Sequence, residues 1–212
     1  MKLEDCVRCP RLSGHAREVR EAFPEYYAKP VGSWGDRRAQ LLIVGLAPGL
    51  HGAYRTGKAF VGDASGTLLF EALANTGFAT SSNASDARLI NAKITNAVKC
   101  LPPKNAPLGS EVTQCRDWLE GELEAHAPKR LRNPRVILTL GGVAYQTVLR
   151  CLAPIERPKF EHGQAIEVRS KLMLVASFHP SRLNMNTGRI NLGMLEDVLI
   201  SAARYMEDGV IS

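Results

Sequence analysis

The sequence lacks any long hydrophobic run, and this absence excludes an integral membrane protein. A membrane-spanning helix needs roughly 18 or more consecutive apolar residues, whereas the most apolar stretch, LLIVGLAPGL at 41–50, is interrupted by two glycines and a proline. The first residues, MKLEDCVRCPRL, carry charges where a secretory signal would need an apolar segment. We therefore expect a cytoplasmic protein that has no membrane partner.

A hydroxyl is missing from the glycine-rich loop GAYRTGKAFVGDASG, residues 52–66. Gly52 and the Gly57-Lys58 pair have the spacing of a nucleotide-binding Walker A loop. Such a loop needs Ser or Thr after the lysine to coordinate Mg²⁺, but residue 59 is alanine. The sequence therefore argues against a P-loop phosphohydrolase, and the glycines, Lys58, Phe60 and Asp63 of this loop require another explanation.

Size and charge leave several functions open. The 212 residues, 45% of them apolar, suffice for one well-packed core, so we expect a single domain over 1–212 and a monomer. The net charge of +6 permits a polyanionic partner, although an ordinary basic enzyme has the same charge. Because no secretory signal precedes them, the five cysteines favour metal binding, catalysis or simple burial over a disulfide framework.

The hydrophobic pattern indicates strands that alternate with helices. Four short continuous runs rich in β-branched or aliphatic residues predict buried parallel strands at 39–46, 92–98, 135–141 and 172–178. Helical spacing and stop residues predict helices at 67–77, 111–128, 142–154 and 192–209. We predict an α/β fold, a three-layer sandwich with a central four-stranded parallel sheet flanked by helices.

The segments that follow the four predicted strands carry most of the polar functional groups. They contain GLAPG and the glycine-rich loop, KCLPPKN, GGVA and HPSRLNMNTGR, in that order. In an open parallel sheet, ligands bind at the carboxyl ends of the strands. We therefore expect these four segments to form one site.

The cysteines form two pairs and one remainder. Cys6 and Cys9 form a CxxC motif, and Cys100 and Cys115 follow as a second pair. Two separated pairs favour a four-thiolate site, and both zinc and a 4Fe–4S cluster accept four cysteines, so the spacing leaves both open. Cys151 lies within the apolar pattern of VLRCLAP and is interpreted as a buried hydrophobic residue.

Taken together, the motifs CVRCPRL, GLAPG, TGKAFVGDASG, VKCLPPKN and HPSRLNMNTGR resemble the uracil-DNA glycosylase superfamily, in particular its iron–sulfur type 5 enzymes. The resemblance runs from Cys6 to about Arg189. It implies a 4Fe–4S cluster that ties the N-terminal segment to the domain, with the ligands Cys6, Cys9, Cys100 and Cys115. It also implies a monofunctional enzyme that hydrolyses the N-glycosidic bond of uracil, and of other deaminated bases such as hypoxanthine and xanthine, in double-stranded DNA, leaving an abasic site. The alternative is a module that binds or traps damaged DNA without cleavage.

The resemblance assigns catalytic roles to three residues. His179 matches the histidine that donates a hydrogen bond to the departing base. Asp63 matches an aspartate that orients water and stabilises an oxocarbenium-like sugar, although the same residue is also placed to cap a helix. Asn105 matches an asparagine that positions water or substrate. Leu46 stands where other relatives carry an acidic or amide residue, and it cannot activate water.

Base binding and DNA binding are assigned to two further groups. The base-binding group is Gly45, Leu46, Phe60 as the stacking aromatic, and Asn96. Asn96 departs from the small residue usual in type 5 enzymes, and it either reads the uracil edge or packs in the sheet. We expect DNA contacts from Arg55, Lys58, Ser181, Arg182, Leu183 and Asn184, with Leu183 or Met185 as an apolar wedge.

Overall fold

The computed structural model describes residues 1–128, 131–154 and 158–209. In chain order its main elements are α1 (Pro10–Ala22), β1 (Trp34–Gly35), β2 (Leu41–Gly45), α2 (Ala53–Thr56), α3 (Ala64–Asn75), β3 (Ala92–Asn96), α4 (Gly109–His126), β4 (Arg135–Leu140), α5 (Gly142–Leu152), β5 (Ala165–Arg169), β6 (Leu172–Ser177), α6 (Arg182–Asn186) and α7 (Leu192–Asp208). Short 3-10 helices lie at Leu3–Asp5 and Pro103–Asn105. In these ranges, no helix combines the length and apolarity needed to cross a bilayer.

The strands form one mixed sheet in the order β1-β3-β2-β4-β6-β5. Its centre consists of the four predicted strands, β3, β2, β4 and β6, and each neighbouring pair among them is parallel. The predicted α/β class is confirmed. The predicted count of four strands is wrong, because β1 and β5 add an antiparallel strand at each edge.

Both missed strands are more exposed than the central four. β1 has two residues and pairs with β3 through Trp34 and Gly35. β5 has the sequence AIEVR, and each of its residues is partly or largely exposed. An edge strand buries only part of its surface, so its sequence gives a weak apolar signal.

The two faces of the sheet pack against different helices. Ile43, Ile94 and Leu138 lie in the cluster that includes the apolar residues of α3 and α7. Their neighbours along the strands, such as Val44 and Ile137, lie in the cluster formed with α4 and α5. Because side chains alternate across a strand, β2, β4 and β6 each contribute to both cores, and helices cover both faces of the sheet as the prediction of a three-layer sandwich requires.

The predicted helices are present with slightly shifted bounds as α3, α4, α5 and α7. Helix α1 was not predicted, and it attaches the N-terminal segment to the remainder of the fold. Its Leu12 is buried against Val98, Val112 and Cys115, and Arg11 forms a two-point ion pair with Glu111 of α4 at 2.7 and 2.8 Å. These contacts bring the CxxC motif close to the end of β3.

Candidate active site

A cavity of about 580 Å³ lies at the carboxyl edge of the sheet. Segments that follow β2, β3 and β6 line it, as the topology of the parallel strands predicts. The third predicted contributor, the GGVA segment after β4, lies behind His179 and does not line it. The sequence-predicted residues that line the cavity are Leu46, Phe60, Asp63, Asn96, Asn105, His179, Ser181 and Arg182.

Asp63 both caps a helix and lines this cavity. It is the N-cap residue of α3, where its Oδ1 accepts a hydrogen bond from the backbone N–H of Gly66 at 2.8 Å. The hydrogen bonds among the described residues leave Oδ2 without a donor. Both predicted roles of Asp63 are therefore compatible, because Oδ1 stabilises the helix while Oδ2 is available to a ligand.

Gly52 allows the Asp63 carboxylate to approach the preceding loop closely. A Cβ atom at residue 52 would lie 2.3 Å from Oδ2 of Asp63, and one at Gly49 would lie 3.3 Å from it. A side chain at residue 52 would displace the carboxylate. The glycines of this loop thus make room for a carboxylate at the place where a nucleotide-binding loop would hold phosphate.

His179 follows β6 and shares the cavity with Asp63. Its ring centroid lies 5.9 Å from that of Phe60, with an interplanar angle of 36°. Burial lowers the pKa of His179, and the nearby Asp63 carboxylate opposes that shift. The imidazole is therefore neutral at neutral pH and can donate one hydrogen bond from the nitrogen that carries its proton.

Phe60 is held in a fixed position at the base of the cavity. Its side chain is 6% exposed, and its backbone has a φ of 60°, which is uncommon outside glycine. Gly45 does not itself line the cavity, but a Cβ atom there would lie 2.6 Å from the Phe60 ring and 2.4 Å from Oδ1 of Asn96. Gly45 therefore acts by leaving space for the other two residues.

Asn96 ends β3 beside Gly45, and its side chain is 2% exposed. The backbone carbonyl of Asn96 accepts a hydrogen bond, but its side-chain Oδ1 is buried without any donor. A buried acceptor without a partner costs on the order of 1 to 3 kcal/mol. Because Asn96 lines the cavity, a ligand with a matching N–H could remove this cost.

A buried ion pair that the sequence analysis did not identify supports the end of β3. Lys99 is 1% exposed, and its ammonium group donates to Glu122 at 2.6 Å, to the Thr95 hydroxyl at 2.7 Å and to the Asn96 carbonyl at 2.7 Å. All three ammonium hydrogens thus have acceptors. No sequence motif signals this pair, because Glu122 belongs to α4 and meets Lys99 only in the folded chain.

Asn105 and Leu46 complete the predicted lining. Asn105 is exposed at the cavity and has a left-handed backbone with a φ of 55°, as does the preceding Lys104. Leu46 contributes an apolar side chain to the cavity, so the position at which other relatives carry an acidic or amide residue cannot bind or activate water here. Asp63 and Asn105, the two residues predicted to position water, both line the cavity.

The segment after His179 presents an apolar side chain to solvent. Leu183 is 72% exposed, whereas Met185 is partly buried against the main core. Asn184 faces inward, and its side-chain amide donates to the His179 carbonyl at 2.9 Å. Of the two wedge candidates, Leu183 is therefore the exposed one. Asn184, which was expected to contact DNA, instead contacts the backbone of His179.

Arg55 and Lys58 are exposed, and neither lines the cavity. The Arg55 guanidinium donates from Nε to the His51 carbonyl at 2.9 Å. The Lys58 ammonium lies 5.3 Å from the centroid of Trp34, which is a cation–π distance. Each side chain therefore has a structural contact, and each remains accessible for the predicted contact with DNA.

The four predicted cysteine ligands line one small cavity between the N-terminal segment, the end of β3 and α4. Burial raises the pKa of Cys100 to about 12 and that of Cys9 to about 11, and repulsion between neighbouring thiolates adds to both shifts. In the described ranges, no three His, Cys, Asp or Glu side chains converge closely enough to hold a single metal ion. Cys151 is separate, since it belongs to α5, lines a different cavity and packs partly buried against the core cluster under α4 and α5.

A comparison with protein families identifies the class to which this fold and site belong. The family model described as "Uracil DNA glycosylase superfamily" matches residues 33–201 of the chain. This range covers more than half of the sequence, so the chain belongs to the uracil DNA glycosylase superfamily. The prediction of an enzyme of the uracil-DNA glycosylase class is confirmed.

Individual relatives narrow the similarity. The chain is 40% identical over 211 residues to the type-5 uracil-DNA glycosylase of Pyrobaculum aerophilum, covering 95% of this chain and 89% of the relative. It is 39% identical to the type-5 uracil-DNA glycosylase of Thermus thermophilus, covering 95% and 94% of the two chains. The type-4 uracil-DNA glycosylase of Archaeoglobus fulgidus is 35% identical over a shorter alignment that covers 69% of this chain and 68% of the relative.

Proposed function

We propose that the protein removes uracil from double-stranded DNA by hydrolysing its N-glycosidic bond, which leaves an abasic site and starts base excision repair. The observation that carries this proposal is the single cavity lined by Asp63, His179, Phe60 and Asn96. Its volume of about 580 Å³ lies within the range of ligand sites, roughly 300 to 1,000 Å³. The printed names of the type-5 relatives support uracil in DNA as the substrate.

Recognition of the base follows from the chemistry of Asn96. Uracil presents a carbonyl beside an N–H group, and an asparagine amide complements both, since Nδ2 donates to the carbonyl and Oδ1 accepts from N3–H. The Oδ1 of Asn96, which is buried and has no donor among the described residues, would gain one from the base. Cytosine has no N–H at that position, so it would leave the acceptor unsatisfied and bind less well.

Phe60 and His179 would hold the two sides of the extruded base. The Phe60 ring offers an aromatic surface on which the pyrimidine stacks. The neutral imidazole of His179 donates a hydrogen bond to a carbonyl oxygen of the base as negative charge develops there. A neutral donor suits this role because it stabilises the anionic leaving group without first transferring a proton to it.

Asp63 would act on the sugar side of the bond. Its Oδ2 is free of protein donors among the described residues, and it can orient a water molecule or offset positive charge on the sugar. Asn105 lines the same cavity and would hold the same water. No lysine lies among the described residues that line the cavity, so we expect hydrolysis without strand cleavage.

The range of lesions is expected to extend to hypoxanthine and xanthine. Both purines present the carbonyl and adjacent N–H that complement Asn96. Adenine has an amino group and an unprotonated nitrogen at the equivalent positions, so Asn96 would discriminate against it.

The exposed Leu183 is proposed to enter the base stack while Ser181 and Arg182 contact the phosphates. An apolar wedge keeps the duplex open after the base has left, and cationic side chains stabilise the strands. The net charge of +6 adds a non-specific attraction to DNA.

The four cysteines are proposed to hold a 4Fe–4S cluster. In such a cluster each cysteine binds a different iron, so the sulfurs surround a volume, whereas zinc needs four sulfurs about 2.3 Å from a single ion. The four cysteines line one cavity, as a cluster with one cysteine on each iron requires, and the resemblance to the type 5 enzymes favours the cluster over zinc. When bound, the cluster would link the N-terminal segment to the end of β3 and to α4.

We propose that residues 1–212 act as one domain and as a monomer. The proposed location is the interior of a bacterial or archaeal cell.

A duplex with a single deoxyuridine tests the proposed reaction. Incubation with the protein followed by hot alkali should break the strand at the uracil, and chromatography should detect free uracil. Asp63→Ala and His179→Ala should lose excision but still bind the duplex. Lys171→Ala is a matched control, because Lys171 is an exposed residue of the β5–β6 turn, away from the cavity.

Two outcomes would contradict the proposal. Strands that stay intact at high protein excess, with uracil, hypoxanthine and xanthine alike, would leave a module that binds damaged DNA without cleaving it. Full excision by both variants would reject the roles of Asp63 and His179.

A further inference from the structure

His51 lies at the mouth of the active-site cavity and has no role in the mechanism above. It follows the GLAPG motif, it is exposed, and it lines the same cavity as Asp63 and Asn105. Exposed side chains at the rim of a site are usually free to rotate. The His51 ring is not.

One hydrogen bond and two aromatic contacts fix the His51 ring. Its Nδ1 lies 2.8 Å from the Tyr26 hydroxyl, which is a hydrogen-bond distance. Phe23 and Tyr26 stack on each other at 4.7 Å, and both meet the imidazole edge to face at 5.7 and 6.0 Å. The orientation of the ring is therefore set by residues of the N-terminal segment.

The backbone on both sides of this contact is also fixed. The Arg55 guanidinium donates to the His51 carbonyl at 2.9 Å. The N–H groups of Tyr27 and Ala28 donate to carbonyls of α2, to Arg55 at 3.2 Å and to Tyr54 at 2.9 Å. These bonds hold the Tyr26 hydroxyl at a constant distance from the cavity mouth.

One nitrogen of the ring remains available. No hydrogen bond from a described residue reaches Nε2 of His51. The tyrosine hydroxyl can donate to Nδ1, and a neutral ring then carries its proton on Nε2, which makes Nε2 a donor directed to an external acceptor. Ordering an exposed side chain costs conformational entropy, and a bound ligand would offset that cost.

We propose that His51 donates from Nε2 to a phosphate oxygen of the extruded nucleotide and thereby positions it. This inference rests on the proposed function. When the base occupies the cavity, the phosphodiester groups that join the nucleotide to its strand must lie at the cavity mouth. His51 is a positioning residue here, and Tyr26 acts through it.

Binding to a duplex with one 2′-fluoro-deoxyuridine, which resists hydrolysis, tests this contact. Kd is measured for the wild type and His51→Ala on unmodified DNA and on duplexes with a neutral methylphosphonate at each phosphate flanking the lesion. We expect His51→Ala to raise Kd about tenfold on unmodified DNA, the low end for loss of a hydrogen bond to a charged group. At one methylphosphonate position the two proteins should bind equally.

Companion variants separate a specific contact from a general loss of structure. His51→Gln retains a side-chain N–H donor and should recover part of the affinity. Tyr26→Phe should weaken binding less than His51→Ala, and the double variant should bind no worse than His51→Ala alone. His15→Ala is the matched control, because His15 lies on α1, pairs with Glu18 at 3.0 Å and does not line the cavity.

The contact would be refuted by a His51→Ala loss that is the same for every methylphosphonate position. It would also be refuted by unchanged Kd together with a slower single-turnover excision, since His51 would then act on the chemical step. Affinity is measured on a duplex that resists hydrolysis, so the result does not depend on excision. Failure of the proposed reaction would be seen separately, as wild-type binding to the 2′-fluoro duplex with no release of uracil from the deoxyuridine duplex.

Discussion

Asp63→Asn separates the catalytic and structural roles of one carboxylate. In the structure, Oδ1 of Asp63 caps α3 through the Gly66 N–H, Oδ2 has no donor among the described residues, and Asp63 lines the cavity. Asparagine is as good an N-cap residue as aspartate, so the cap should survive and the melting temperature should hardly change. The negative charge on the sugar side of the bond is lost, and we expect single-turnover excision to fall about 100-fold or more.

Asp63→Ala is the partner variant, because it removes both oxygens. We expect the same loss of excision and, in addition, a loss of about 1 kcal/mol of stability from the missing cap. For a domain of this size, 1 kcal/mol corresponds to a shift of roughly 2 to 4 °C in melting temperature. Excision is followed under single-turnover conditions with saturating protein, and melting by circular dichroism.

The comparison of the two variants can refute this account of Asp63. If Asp63→Asn keeps more than a third of the wild-type rate, the carboxylate charge has no catalytic role. If Asp63→Asn melts as low as Asp63→Ala, the cap does not depend on Oδ1 as described.

Three further predictions concern the base, the wedge and acid stability. Asn96→Ala should lower kcat/KM for uracil about tenfold without reducing the melting temperature, because it removes a buried acceptor that has no partner among the described residues. A large loss of stability would contradict this account. Leu183→Ala should lower kcat/KM about tenfold on base-paired uracil and much less on single-stranded DNA, and equal losses on both would argue against a wedge. Burial lowers the pKa of His126 from 6.5 to about 3, so below pH 6.5 the unfolded chain binds a proton that the folded chain does not. The free energy of unfolding should therefore fall as pH decreases from about 6.5, by up to about 1.4 kcal/mol per pH unit. Denaturant unfolding at several pH values should show a weaker pH dependence for His126→Gln, and an unchanged dependence would contradict the assignment.

The central sheet could be predicted from sequence because its four strands are buried on both faces. The run LLIVG is apolar throughout and RVILTL is apolar apart from Arg135 and Thr139, and short runs rich in aliphatic residues are typical of strands covered on both faces. The edge strands could not be found in this way. Trp34 and Gly35 form a strand only because the edge of β3 lies beside them.

The candidate site was predictable where a residue follows a central strand or caps a helix. Asn96 ends β3, His179 follows β6 and Asp63 precedes α3, so the topology brings all three to one cavity. The contacts that orient them were not predictable. The Lys99–Glu122 pair and the Tyr26–His51 contact join segments far apart in sequence, and no local pattern encodes such a distance.

A crystal structure with a duplex that contains 2′-fluoro-deoxyuridine tests the central claim most directly. It should show uracil outside the helix, stacked on Phe60, with the Asn96 amide within hydrogen-bond distance of its O4 and N3–H. The Asp63 carboxylate should lie on the sugar side and His179 beside the ring. A uracil that stays stacked in the duplex while the cavity holds only water would contradict it.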